Sequence, residues 1–351
     1  MALDHLRRPL RAAAVVFVTA FALTACASVP AAQPAPAPSS PSATPTTEPE
    51  PIGPVAAFGG DCDDVLTPDQ VMSILGAGAR DKETWLAEVS PPARSALPVP
   101  ITTLGGIECE WVAAEGAVLP EGMSSMSILA LPVDAVIDVD FSEPLCEPSY
   151  DAVNCRMSRT ESGVWLLARA GWYLETAPTE QLDAALTAAA ANVASFPPPI
   201  SAARDSAWWQ LPTCDDIAAE VGLRELLGTD FFSGFYEGSP QPEHKLLDDA
   251  GVSRLCPWST DPASMAEGDS FHIITLQMMP GGAVWWDEMV ANPRVSPHAI
   301  AGAESALIVD GRDVFATDGV NVVSLRESSP EADVELAALI AERVLAALNA
   351  G

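Results

Sequence analysis

Basic residues are scarce in this chain of 351 residues: 17 lysines and arginines stand against 48 acidic residues, a formal net charge of −31 at neutral pH. Lysine is almost missing, with Lys82 and Lys245 as its only instances. So one-sided a balance repels phosphate backbones and anionic headgroups, and it excludes nucleic acid as a partner. Its simplest role is a solvated acidic surface that keeps the folded protein soluble. Calcium capture would call for an Asp-x-Asp-x-Asp-Gly loop, which the chain lacks; Asp310, Asp313 and Asp318 fall in segments that read as hairpins. Histidine is scarce as well. Beyond the N-terminal segment there are only His244, His272 and His298, and no His-Glu-x-x-His spacing sets two of them on one helix face. The chain has no Cys-x-x-Cys, which removes the signature of zinc ribbons and of thioredoxin-like redox chemistry. It has no Gly-x-Ser-x-Gly, and neither lysine stands three residues after a serine, so serine hydrolase and penicillin-binding chemistry lose their signatures too. Gly281-Gly282 follows Pro280 and reads as a turn before a helix, not as a phosphate loop. No catalytic residue, metal site or cofactor is therefore expected.

Long apolar runs are also absent. The segment Ala12 to Leu23 is too short to cross a bilayer, but behind Arg7, Arg8 and Arg11 it suits the apolar part of a secretion signal. Leu23-Thr24-Ala25-Cys26 closes that segment and resembles the lipobox of bacterial lipoproteins. The resemblance implies cleavage after residue 25 and a diacylglycerol on Cys26. The expected location is then the outer face of the cytoplasmic membrane, with the lipid as the membrane contact. Residues 26–57 follow as a stalk with nine prolines among alanine, serine and threonine. That composition cannot bury a core, and it favours an extended tether on the order of 95 Å in full reach.

The remaining roughly 290 residues exceed one average domain, and they repeat. Cys62-Asp63-Asp64-Val65 runs on to Leu75-Gly76, as Cys214-Asp215-Asp216-Ile217 runs on to Leu227-Gly228. Cys109-Glu110-Trp111 and Cys256-Pro257-Trp258 lie 47 and 42 residues after the first cysteine of each copy. Residues 58–196 and 211–351 are accordingly two related repeats joined by a linker at 197–210 that opens with Pro197-Pro198-Pro199.

Local signals give each repeat the same plan. Thr67 can cap a helix with Pro68 in its first turn and Gln70 closing a capping box, and Thr213 with Asp216 stand at the matching place. Strands are expected at Ile107 to Ala113, Met123 to Leu131, Val252 to Trp258 and Ser270 to Met279. Short helices are expected at Val133 to Asp140 and Ala283 to Asn292. Asp310-Gly311 and Asp318-Gly319 read as tight turns of an antiparallel meander, with Gly163 and Gly171 as counterparts in the first repeat. A closing helix carries Leu336, Leu339, Ile340, Val344, Ala347 and Leu348 on one face, capped by Ser329 and Pro330; Leu182, Leu186, Val193 and Phe196 are its equivalent. The fold class is α+β: two tandem lobes, each an antiparallel sheet covered by an N-terminal and a C-terminal helix.

With Cys26 set aside, six cysteines remain, an even number suited to an oxidising compartment. Cysteines at the same place in both repeats pair most simply within each, Cys62 with Cys109 and Cys214 with Cys256, which leaves Cys146 and Cys155 to each other. Trp111 and Trp258 are expected to cover the matched pairs.

Cys-Asp-Asp-Val-Leu-Thr-Pro, continuing to Ile74-Leu75-Gly76 and followed by Cys-x-Trp, resembles the actinobacterial cell-envelope lipoproteins grouped as domain-of-unknown-function family 3558. The match is weaker in the second repeat, where Ala218-Ala219-Glu220 replace the Leu-Thr-Pro cap. The resemblance implies a secreted, lipid-anchored, disulfide-bearing α+β domain, and it carries over no catalytic residue. Aromatic residues are the remaining candidates for a site. Trp208-Trp209, Trp285-Trp286 and the run Phe231 to Tyr236 gather in or near the second repeat, where rings can stack on sugars or grip apolar ligands. The expected function is non-enzymatic binding of an envelope glycan, lipid or protein. A sensory accessory with an aromatic pocket is the alternative, and a wall hydrolase would need a carboxylate pair in a deep cleft.

Overall fold

A computed structural model of the protein describes residues 53–350 apart from 90–98, 116, 118, 137–140, 150–151, 173–177, 235–241, 266–270, 292–293 and 329–332. Cys26 and its lipobox, most of the stalk, Tyr236, Ser329 and Pro330 lie outside the described residues.

The fold is α+β, with two antiparallel sheets. In the first lobe six strands, β1 (Ala79–Asp81), β2 (Ile107–Ala113), β3 (Met123–Pro132), β4 (Leu145–Ser149), β5 (Ala152–Glu161) and β6 (Val164–Trp172), pair in the order β1-β2-β3-β6-β5-β4. In the second, β7 (Phe231–Ser233), β8 (Arg254–Thr260), β9 (Ile273–Met279), β10 (Val295–His298), β11 (Ser305–Val309), β12 (Asp313–Thr317) and β13 (Val322–Glu327) pair in the order β7-β8-β9-β13-β12-β11-β10. The two orders superpose strand for strand, β10 being one extra edge strand. The repeat seen in the cysteines is thus a repeat of topology.

Helices enter where the capping residues stand. Beyond α1 (Cys62–Val65), helix α2 (Pro68–Leu75) opens on a full capping box: Gln70 N–H donates to Thr67 Oγ1 at 3.3 Å and Thr67 N–H to Gln70 Oε1 at 2.8 Å. Gly76, at φ 85°, ends it. In lobe two, Asp216 N–H donates to Thr213 Oγ1 at the start of α6 (Cys214–Glu220), and α7 (Leu223–Leu227) follows. The first-lobe sheet alternates as a half-buried strand should: Ile107, Cys109 and Trp111 of β2 point to one face, joined by Met126 and Ile128 of β3 and Leu166 and Ala168 of β6. Helix α5 (Thr179–Val193) covers that face with Leu182, Ala185, Leu186, Ala189 and Val193. The second lobe repeats the arrangement under α10 (Val334–Ala350).

Three expectations are corrected. Gly171 lies inside β6, not in a turn; Gly163, with Ser162 also at positive φ, makes the β5–β6 turn. The buried stripe of α10 runs through Ala337, Ala338, Ile340, Ala341, Val344 and Leu345, and Leu339 is exposed. Asp333 caps that helix, accepting from Glu335 and Leu336 N–H at 3.0 and 3.2 Å, and the packing of the alanine-rich stripe against the second-lobe core leaves Leu339 outward. Finally, the segment from Val133 forms only a 3-10 turn, Val133–Ala135, before the described residues break off.

Strand β3 is buried along nearly its whole length, because both faces of its sheet are covered. Its second face, with Leu129 and Leu131, and Trp165 and Leu167 of β6, meets Leu104 and Ile101 of α4 (Val99–Thr103), the helix that follows α3 (Lys82–Val89). Leu246 and Leu247 of α8 (Pro242–Asp249), a second-lobe helix, complete the cluster. The lobes therefore share a core of their own, distinct from the one inside each.

Candidate functional site

Three disulfides are present in the expected pairing, Cys62–Cys109, Cys146–Cys155 and Cys214–Cys256. The matched pairs tie the first helix of each lobe to its second strand, and Trp111 and Trp258, 2% and 0% exposed, are buried in the same clusters. Cys146 and Cys155 stand directly opposite each other on β4 and β5. The two matched bonds join elements far apart in sequence, whereas Cys146–Cys155 links neighbouring strands of one hairpin.

The four candidate tryptophans divide into two places. Trp285 and Trp286, in a 3-10 turn (Gly282–Trp285) and the start of α9 (Trp286–Val290), are half-buried over the outer face of the second sheet, against Met279, Met289, Leu307 and Phe315. Trp208 and Trp209 meet a different set of residues. Trp209 is 6% exposed and belongs to the second-lobe core; its indole N–H donates to Asn349 Oδ1 near the end of α10 at 3.0 Å. Trp208 is half-buried at the junction of the lobes, with the Arg204 guanidinium 5.6 Å from its ring centroid. The ring rests on Gly281, where a Cβ would come within 2.3 Å of Cζ2.

Asn321 holds this corner together. Only 1% exposed, it accepts at Oδ1 from the N–H of Trp209 and of Gly281, and donates from Nδ2 to the carbonyl of Ala207 and to Asp318 Oδ2. All its hydrogen-bonding capacity is spent inside the protein, which is what a buried carboxamide requires.

Beside the clamp opens a groove of about 720 Å³, bounded by Trp208, Trp209 and Gln210, by Asp216, Ile217 and Glu220 of α6, and by the last turn of α10. Its size suits a small ligand or a peptide segment. Asp216, Glu220 and Asp318 are the charged residues of the lining, and no lysine, arginine or histidine is among them. The carbonyl end of α10 adds to the same sign of potential. A smaller hollow of about 380 Å³ lies on the other side of α6, where Ser233 donates to Asp215 at 2.6 Å. In the sequence Asp216 stands out only as a helix-cap residue of the repeated motif, and Asn321 and Asn349 belong to no motif; only the fold brings them, with Glu220, beside the tryptophans.

The histidines do not converge. His244 is in α8 and His298 in β10, while His272, just before β9, places Nδ1 on Glu327 Oε1, whose other oxygen accepts from Asp333 N–H at 2.6 Å. Glu327 is 2% exposed and anchors the entry to α10. Arg326 on the same strand is bonded to Asp313 through two of its nitrogens, and those hydrogen bonds hold its pKa above the ordinary arginine value. Among the described residues no group of three or more His, Cys, Asp or Glu is placed to hold a metal ion, and no helix is long and apolar enough to cross a membrane.

No protein-family model and no curated protein matches the chain. Among solved structures, the crystal structure of the di-domain ARO/CYC StfQ from the steffimycin biosynthetic pathway aligns at 9% identity over 85% of this chain and 93% of that chain, with a TM-score of 0.13. That score carries no argument about fold or activity.

Proposed function

We propose that this chain is a lipoprotein of the cell envelope, held by a lipid on Cys26 at the outer face of the cytoplasmic membrane, whose two lobes form a non-enzymatic binding module. The resemblance of Cys62 to Gly76 and Cys109 to Trp111 to domain-of-unknown-function family 3558 supports the anchor and the compartment, and the disulfides suit an oxidising one. The observation that carries the binding role is the groove beside Trp208 and Trp209: aromatic walls, hydrogen-bonding side chains and an acidic rim around about 720 Å³. Trp209, Asp216 and Asp318 in its lining are held by structural hydrogen bonds, which favours recognition over chemistry.

Two measurements test this. Thermal-shift screening of the purified chain against wall glycans, lipids and peptides should find a ligand that raises the melting temperature, since binding to the native state alone stabilises it. The shift should vanish in Gln210→Trp, which narrows the groove from an exposed position; a shift that persists there would place the site elsewhere. Separately, Cys26→Ala should abolish incorporation of a labelled fatty acid and release the protein from the membrane fraction. Continued labelling would end the lipoprotein reading.

A further inference from the structure

The two lobes treat one corner of their shared fold differently. In lobe one, Phe58 is fully buried ahead of Cys62, and Phe196, just beyond α5, meets it with ring centroids 5.7 Å apart. Pro197-Pro198-Pro199 then lead to Ile200, whose N–H and carbonyl pair with Val55 at 2.9 Å each. Half-buried Phe196 and buried Pro199 thus close the space between the segment ahead of the first cysteine and the end of the closing helix, while Pro197 and Pro198 between them face solvent.

Lobe two has the same two walls. Trp209 stands ahead of Cys214 as Phe58 stands ahead of Cys62, and its indole N–H is hydrogen-bonded to Asn349 of the closing helix. The buried stripes of the helices align Leu182, Ala185, Leu186 and Ala189 with Ala337, Ile340, Ala341 and Val344, so Val193 falls on Leu348. Ala347, Leu348 and Asn349 are therefore the counterpart of the α5 end that leads into Phe196. Between these walls lies the groove.

We propose that the groove docks an extended, proline-rich peptide of a partner protein, with an aromatic residue at its head and lysine or arginine in its flanks. The inference rests on the reading of the protein as a binding module and names its ligand class. Lobe one shows that this corner of the fold accepts an aromatic-proline segment. A polyproline conformation is already ordered before binding, so docking it on an aromatic-lined surface costs little chain entropy. The basic flanks follow from charge: Asp216, Glu220 and Asp318 border the groove with no cation among its lining residues. Residues 27–57 of this chain are rich in proline but contain Glu48 and Glu50 and no basic residue, so they lack the charge that the groove selects.

The probe is a fluorescent synthetic peptide, Lys-Lys-Ser-Phe-Pro-Pro-Pro-Ile, titrated against the full chain and followed by anisotropy. Saturable binding is expected, weakened about tenfold or more by Gln210→Trp, by Glu220→Lys, and by exchanging the two lysines of the peptide for glutamates. Both protein substitutions are at exposed positions, and an unchanged melting temperature verifies that each variant is folded. Absence of binding, or binding indifferent to all three changes, overturns the proposal. If a glycan or lipid raises the melting temperature of the same preparation while the peptide does not bind, the ligand class is wrong and the binding module stands. If no ligand of any class shifts it, both fall.

Discussion

Asn321, in the turn between β12 and β13, holds the backbone of Trp209, 112 residues earlier in the chain, through a hydrogen bond of 3.3 Å from Trp209 N–H to its side-chain oxygen. The same oxygen accepts from Gly281 N–H at 3.2 Å, and the amide nitrogen donates to the Ala207 carbonyl at 3.0 Å. One carboxamide thereby joins three segments at the corner where the groove opens. Replacing it by alanine would leave two backbone N–H groups and a carbonyl without their partner. Asn321→Ala is expected to lower unfolding free energy by about 3 kcal/mol, from a stranded-donor cost of about 1–3 kcal/mol per group only partly relieved by water. Urea unfolding measures it, and a loss under about 0.5 kcal/mol would show that the clamp is dispensable.

Gly281 serves the same corner by having no side chain. Its φ of 71° is accessible to alanine only with strain, and a Cβ there would lie 2.3 Å from the Trp208 ring. Gly281→Ala is therefore expected to cost about 2 kcal/mol or more and to expel Trp208 toward solvent. The emission should shift to the red, a shift that disappears when Trp208→Phe is made in the same chain. Unchanged emission and stability would mean that the ring does not rest where the contact places it.

Much of this architecture is written in local signals. The Thr67–Gln70 capping box forms as spaced, the Asp310-Gly311 turn adopts positive φ at both residues, and the cysteine repeat anticipates the disulfides and the matching strand order. What local patterning does not carry is which second face of a sheet is covered, and by what. Leu129, Leu131, Trp165 and Leu167 read as ordinary strand residues, and nothing near them announces that Leu246 and Leu247 will cover them. The separation of Trp208-Trp209 from Trp285-Trp286 is likewise decided by long-range contact. Adjacent tryptophans look alike in sequence, whereas Asn321 and Asn349, which select one pair for the groove, lie more than a hundred residues away.

The disulfides should matter in proportion to the loops they close. Cys62–Cys109 and Cys214–Cys256 span 47 and 42 residues, Cys146–Cys155 only 9. Loop-closure entropy assigns about 4 kcal/mol to each long loop and about 2.5 kcal/mol to the short one. Paired alanine substitutions, compared by chemical unfolding, are expected to follow that order. If loss of Cys146–Cys155 proved the most damaging, its role would lie in native strand contacts and not in the unfolded chain.

The shared core makes a stronger claim, that the lobes unfold together. Leu246 and Leu247, 1% and 4% exposed on second-lobe helix α8, belong to one buried cluster with first-lobe Leu129, Leu131, Trp165 and Leu167. Neither lobe can leave without exposing large apolar side chains, each worth about 1.5–3 kcal/mol of burial. Leu246→Ala should remove about 2–5 kcal/mol, since it both exposes area and opens a cavity. Because the core is common, that loss should move the unfolding of the whole chain, and calorimetry should record one transition before and after the substitution. Residues 53–200 produced alone would present the uncovered sheet face to solvent and should bind a hydrophobic dye and self-associate. Two transitions in the intact chain, with Leu246→Ala shifting only one of them, would mean that the cluster joins two lobes that are stable without each other.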